Sequence, residues 1–270
     1  MSTFKIAHRP DDQRIEIAVD LNALREVGHV GVRRASCFLG LGLRTTLEGP
    51  PDSVTLGETF TYQFMPDPLP DEIRESVASE YEAWIVGSAL KELDQYLSLF
   101  LDDAWDVIQI MDRHEQAVDM SEVLFDQKFR MATNAGKKLA RVAEAIGADL
   151  DASPHRSLSL ARNALTHTRG VVCVQHTNED ETLRVHWFAP QTYIKEGNEE
   201  RPFAGLVRVE QPDGAQVMMR IEERSERFKL GAKVRLTAHQ LSEICFFYHQ
   251  QIEVIVVRLA DFLRQRGLTV

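Results

Sequence analysis

One short segment of the chain gathers cations and imidazoles with no acid among them. Ser153 to Gly170 holds Arg156, Arg162 and Arg169 together with His155 and His167. Inside it stands Arg162-Asn163-Ala164-Leu165-Thr166-His167. On an α-helix, which turns ~100° per residue, Asn163 and His167 fall one turn apart on one face and Arg162 lies beside Asn163. Cleaving a ribose-phosphate linkage without a metal needs a group that exchanges a proton with the 2′-hydroxyl or the leaving oxygen. It also needs a fixed cation for the crowded phosphate. Histidine, with a reference pKa of ~6.5, suits the first task and typically contributes ~10²–10⁴-fold. Arginine, permanently charged and able to hold two phosphate oxygens, suits the second, and asparagine can orient the imidazole. A structural use of the same residues stands beside this one. Arg162 would pair with an acid of the 67–126 segment, and His167 would cap the helix C-terminus, where a cation is favoured.

The other chemistry-bearing residues have less company. His8, His29, His114, His239 and His249 lack a partner at metal-ligand spacing along the chain. Cys37, Cys173 and Cys245 are odd in number and far apart, so a reducing compartment is expected, and neither metal nor cofactor is called for. Gly40-Leu41-Gly42 lacks both the third glycine of a dinucleotide loop and the Gly-Lys-Ser/Thr of a phosphate cradle, which leaves close packing or turns.

Helices must position the segment. From Asp71 to about Met111 apolar residues recur at helical spacing (Ile73, Val77, Tyr81, Trp84, Leu90, Leu93, Leu97, Leu101), either as one long helix or as two that break near Asp102-Asp103. A second helix is expected from Ser121 to about Ile146, stopped by Gly147, and a third from Ser153-Pro154 to about Thr168, stopped by Gly170. Strands are expected at 171–175, 183–188, 205–210 and 215–221, with a turn at Gln211-Pro212-Asp213-Gly214. The closing helix starts at Thr237 with a Thr237/Gln240 capping box and a Leu236/Leu241 staple, and ends at Gly267. Trp84, Trp105, Phe246 and Phe247 fall on apolar faces and are expected in the core. Residues 1–66 read as a mixed α/β extension, with a strand at 14–19, interrupting glycines at 28, 31, 40 and 42, and an alternating stretch at 54–64. The fold class is therefore mainly α: an up-and-down helical bundle over 67–270, a small β insertion at about 171–229 before the last helix, and the extension in front.

Composition agrees with a folded core. The 270 residues are 44% hydrophobic and 27% charged with three cysteines, which excludes a disordered chain and a disulfide-stapled scaffold. No apolar run approaches the ~20 residues of a membrane span, and the first residues lack a signal-peptide layout, so a cytoplasmic protein is expected. The net charge of −10 is unevenly spread. Asp67 to Asp126 holds sixteen acids and three bases, whereas Gln127 to Gly170 holds eight bases and three acids. The basic half either faces a polyanion or neutralises the acidic half across a helix pair.

With these elements in place, the segment resembles the signature of HEPN (higher eukaryotes and prokaryotes nucleotide-binding) domains: an arginine followed by a polar residue, then four to six residues to a histidine, near the end of a bundle helix. Arg162, Asn163 and His167 match it residue by residue. Arg169 and His176 also satisfy the loose form, but they straddle Gly170. Lys128 to Leu150 is similar to the helix that precedes the signature, and Leu230-Gly231-Ala232-Lys233-Val234-Arg235-Leu236 to the family's closing segment. The likeness covers about residues 71–170 and 230–266. It implies a bundle that pairs with a second copy and sets two Arg/His pairs across a shared cleft. It further implies a metal-independent endoribonuclease of the toxin or phage-defence kind that leaves a cyclic phosphate, sometimes held in check by a small nucleotidyltransferase. Arg162, Asn163 and His167 would then be catalytic, Arg156 and Arg169 would contact RNA, and Glu80 or Glu92 would be the acidic helper that some members carry. The family also contains silent members that only dimerise or bind a nucleotide or protein partner. The long insertion and the lack of an acid just after Gly170-Val171 depart from the pattern.

Overall fold

Apolar residues at three- and four-residue spacing leave α2, Asp71–Glu115, one way to bury its stripe: against several other helices at once. The computed structural model describes residues 4–8, 15–48, 53–56, 60–63, 70–115, 126–131, 134–196, 199–203 and 216–268. In it α2 is one unbroken helix of 45 residues that runs straight through Asp102-Asp103. Leu90, Leu93, Leu97, Phe100, Leu101, Ala104 and Ile108 are all fully buried along it, and removing each large apolar side chain from water stabilises the fold by roughly 1.5–3 kcal/mol.

Around this axis stand α1 (Leu21–Glu48), α4 (Ala135–Ala145), α5 (Ser153–His167) and α6 (Ala238–Gln265), preceded by a one-turn α3 (Gln127–Arg130). α1 packs along α2 and α6, while α5 packs against α2 and α4 on one side and the sheet on the other. The chain begins with two antiparallel hairpins flanking α1: β1 (Phe4–His8) with β2 (Ile15–Val19), and β3 (Ser53–Leu56) with β4 (Phe60–Gln63). A three-stranded antiparallel sheet of order β6-β5-β7 follows α5, with β5 at Thr182–Glu196, β6 at Glu199–Pro202 and β7 at Gln216–Lys229. The fold is mainly α with a small β insertion before the last helix, as expected. Trp187 on β5 ties the insertion to the bundle: its ring is 1% exposed and its Nε1 donates to Glu243 of α6. Thr237 and Gln240 form the expected capping box, and Leu236 and Leu241 are both buried beside it.

Four expectations change. The glycines of the first segment do not interrupt it, because α1 runs through all of them. Three of them are places of close approach. A Cβ at Gly28 would lie 2.7 Å from Ile252, at Gly31 2.5 Å from Tyr96 and 2.9 Å from the Glu92 carbonyl, and at Gly42 2.6 Å from Ile85, whereas Gly40 faces open space. The helix expected at 121–146 is two pieces, with Asn134 capping α4 through a side-chain bond to the Lys137 N–H; residues 121–125 lie outside the described residues. The strand expected at 171–175 is a single bridge, Val171 to Lys233, followed by a 3₁₀ turn at Val174–His176. Finally, Trp84 is 58% exposed rather than core, because it stands on the wall of an open cleft of about 820 Å³ that residues of α1 and α2 line together. Trp105 is half-buried and stacks on the buried Phe129, Phe247 is buried and Phe246 half-buried. The strand expected at 205–210 and the turn at 211–214 lie outside the described residues. The last expected strand is the start of a longer one, β7.

Candidate functional site

α5 starts where the sequence puts it. Asp151 accepts from the Ser153 N–H at 2.8 Å and from its hydroxyl at 2.7 Å, and Pro154 fits the first turn, where no N–H is missed. It stops because Arg169, at a φ of +52°, turns the chain back so that the Gly170 N–H reaches the Ala164 carbonyl at 2.9 Å, and Gly170, at +82°, carries the turn onward where a side chain would be strained.

Three faces of this helix go to different places. Leu158, Ala161 and Leu165 enter the core. Arg156, Leu160, Asn163 and His167, spaced 4, 3 and 4 apart, form the outer stripe: Arg156 and His167 are exposed, Asn163 half-buried. Ser159 and Arg162 turn toward α2. About the helix axis Arg162 and His167 are therefore separated by about 140°. Among the described residues no hydrogen bond or ion pair joins them.

What Arg162 meets is Asp94 of α2. Its Nη2 donates to Asp94 Oδ2 at 3.1 Å, the Ser159 hydroxyl donates to the same oxygen at 2.8 Å, and the Tyr248 hydroxyl of α6 donates to Oδ1 at 3.0 Å. One buried carboxylate thus ties three helices together. Burial pushes the Asp94 carboxyl above its ordinary value, against the pull of Arg162 and the two hydroxyls. The Tyr248 phenol is raised by burial and by Asp94. The Arg162 Nε is buried with no hydrogen-bond partner, while the side chain as a whole is 23% exposed. That exposure opens onto a cleft of about 350 Å³ lined by Lys91, Asp94, Gln95, Asp102, Arg130 and Lys138 among others.

Half of the cations of the basic segment are spent on acids. Lys138, almost fully buried, donates to Asp102 at 2.7 Å and to Ser98 at 2.8 Å; Arg130 pairs with Asp106, Arg141 with Asp126 and Arg162 with Asp94. Neutralisation across helices is what these pairs achieve. Burial raises the carboxyls of Asp102 and Asp106 as it does that of Asp94. Lys128, Lys137, Arg156 and Arg169 form no salt bridge among the described residues. Arg156 lays its stem over Gly136 of α4. Arg169 lines a separate cleft of about 240 Å³ together with Glu80, Glu82, Lys233 and Arg235. His176 is buried just beyond α5, where its Nδ1 accepts from the Cys173 N–H at 3.1 Å. Burial lowers its imidazole, with a further push from the nearby charge of His167.

Neither acid singled out from the sequence reaches Arg162. Glu92 is held by Arg34 at 3.1 Å, and Glu80 faces the Arg169 cleft. Asp94 escaped notice, although a signal exists: it is an acid set among Leu90, Leu93, Leu97 and Leu101, on the stripe that must be buried. Comparing the chain with models of protein families, with curated proteins and with solved structures gives no match.

Proposed function

We propose that the chain is a metal-independent endoribonuclease of the HEPN type, working as a toxin or phage-defence effector from a composite site built by two copies. The observation that carries the reading is the state of Arg162: anchored through one N–H on a buried carboxylate, with the side chain 23% exposed at the wall of an open cleft. A guanidinium held in this way is aimed before substrate arrives, and pre-aimed charge is what stabilises a developing phosphorane. His167, exposed at the end of the same helix, takes the proton of the 2′-hydroxyl. The 2′-oxygen then bonds to phosphorus, the bond from phosphorus to the 5′-oxygen breaks, and the leaving oxygen takes a proton from the imidazolium of the other copy. A cyclic phosphate and a 5′-hydroxyl result. Arg162 carries the extra charge on the phosphate, and Asn163, one turn before His167, orients the ring or the phosphate. Because one helix turns Arg162 and His167 about 140° apart, a second copy is needed to bring an arginine of one to a histidine of the other. Arg156 on the outer stripe and Arg169 beyond the helix end are the RNA contacts. A small nucleotidyltransferase is the kind of antitoxin that would restrain such an enzyme.

Purified protein in excess chelator is incubated with a mixed RNA substrate and the product ends are analysed. Wild type is expected to cut and leave cyclic phosphate. His167→Ala, at an exposed position that bears no load in the core, is expected to lose ~10²-fold or more while melting at the wild-type temperature. No cleavage by micromolar wild-type protein defeats the reading.

The Asp94 network favours a second one. A carboxylate engaged by donors from three helices is also what a purely structural clamp looks like, and a silent HEPN-type module that pairs or binds a partner needs nothing more. In that case the wild type is inert toward RNA, and Arg162→Ala changes only stability.

A further inference from the structure

Two histidines more than two hundred residues apart in the chain meet where α1 packs along α6. The rings of His29 and His249 stack with centroids 4.7 Å apart and planes 25° from parallel. Glu253, one turn after His249, brings Oε1 to 3.0 Å from His29 Nε2. A donor atom from each of the three lies within 4.8 Å of the other two, and all three side chains are half-buried. The contacts at Glu253 are close but unsatisfied. His29 Nε2 and Arg25 Nε, at 3.0 and 3.1 Å from the same oxygen, are both buried, and neither is aligned for a hydrogen bond.

The backbone explains the meeting. Gly28, next to His29, lets α1 come so near α6 that a Cβ there would touch Ile252 at 2.7 Å, and Ile252 lies between His249 and Glu253 in sequence. The i, i+4 spacing then puts His249 and Glu253 on one face, opposite His29.

We propose that His29, His249 and Glu253 bind a divalent transition-metal ion, zinc by the chemistry of the donors, which clamps α1 to α6. Two imidazoles and a carboxylate form a frequent zinc set, at bond lengths of about 2.0–2.2 Å, with water in the fourth position. Donors on a tetrahedral ion of that size are ~3.4 Å apart, so the widest separation closes by roughly 1.5 Å. His249 leaves the stacked arrangement to do so. Arg25, a third exposed and already donating to Asn22 at 2.8 Å, releases Glu253 and turns into the adjoining cleft of about 570 Å³ that it lines with Asp20. None of these residues takes part in the proposed RNA cleavage, so the two readings stand or fall separately.

The test uses the full chain, stripped with chelator and titrated with Zn²⁺ or Co²⁺. Wild type is expected to bind one ion per chain, to melt higher as zinc saturates it, and to give the visible absorption of four-coordinate cobalt. His29→Ala and His249→Ala are each expected to weaken binding at least tenfold, and Arg25→Ala to keep or tighten it. The cobalt spectrum is read on unaltered protein, so a variant that misfolds does not remove the test. The proposal is overturned by wild type that neither melts higher nor gives the cobalt bands, by equal binding to the His29→Ala/His249→Ala double variant, or by a thiolate charge-transfer band that puts the ion on a cysteine.

Discussion

Replacing Asp94 by alanine tests the joint between α2, α5 and α6. The substitution strips the acceptor from the hydroxyls of Ser159 and Tyr248, which are 4% and 1% exposed, and each buried donor left unpaired costs ~1–3 kcal/mol. Arg162 loses its anchor but can turn into the open cleft, so its charge adds little. Against this stands the relief of no longer burying a carboxylate, whose raised pKa marks that burial as unfavourable. We expect a net loss of about 3 kcal/mol, and at ~2–4 °C per kcal/mol for a chain of this size the melting temperature falls by about 6–12 °C. Tyr248→Phe alone, which leaves Asp94 with two of its three donors, is expected to cost ~1 kcal/mol. In the double variant the phenol is gone before its acceptor is lost, so the combined cost falls short of the sum by ~1 kcal/mol or more. Urea or thermal unfolding of the four proteins reads the cycle. Additive losses, or an Asp94→Ala protein as stable as wild type, refute the claim that this carboxylate holds the three helices. The same variant bears on the site: an unanchored Arg162 is expected to cut RNA at least tenfold more slowly.

Two further outcomes rest on single positions. Gly31→Ala is expected to destabilise by ~2 kcal/mol or more, because its Cβ meets the Glu92 backbone, whereas Gly40→Ala on the same helix stabilises by ~0.5–1 kcal/mol; opposite signs in paired melts are the check. His155, fully buried between Phe247 and Tyr248, has its imidazole pushed down to about 3 by burial, below the ~6.5 of the unfolded chain. The stability it contributes is therefore present above pH 6.5 and is lost as pH falls toward 3, at up to ~1.4 kcal/mol per pH unit. The difference between wild-type and His155→Phe stability curves isolates this group from Asp94, Asp102, Asp103 and Asp106, whose raised pKa values act with the opposite sign. A difference that stays flat between pH 7 and pH 4 would falsify the assignment.

The sequence by itself determined the elements whose causes are local. The apolar stripe of α2, Pro154 and Gly170 at the two ends of α5, and the capping box of α6 each depend on neighbours within about four residues, and each stands where the spacing puts it. It also yielded the polar segment of α5 and both readings of its charge. The tertiary structure decided the directions and the partners. Residues adjacent in a motif need not share a destination: Arg162 turned inward to Asp94 because α2 crosses on that side, while His167 stayed outside. The acid chosen was 68 residues away, and its identity depended on which turn of α2 lies against Ser159. Gly28, Gly31 and Gly42 read as interruptions along the chain and became contact points only once another helix lay against them. His29 and Glu253, more than two hundred residues apart, carry no shared periodicity. Only the packing of α1 on α6 brings them together, and contacts that chain spacing does not encode are set by how buried surfaces fit.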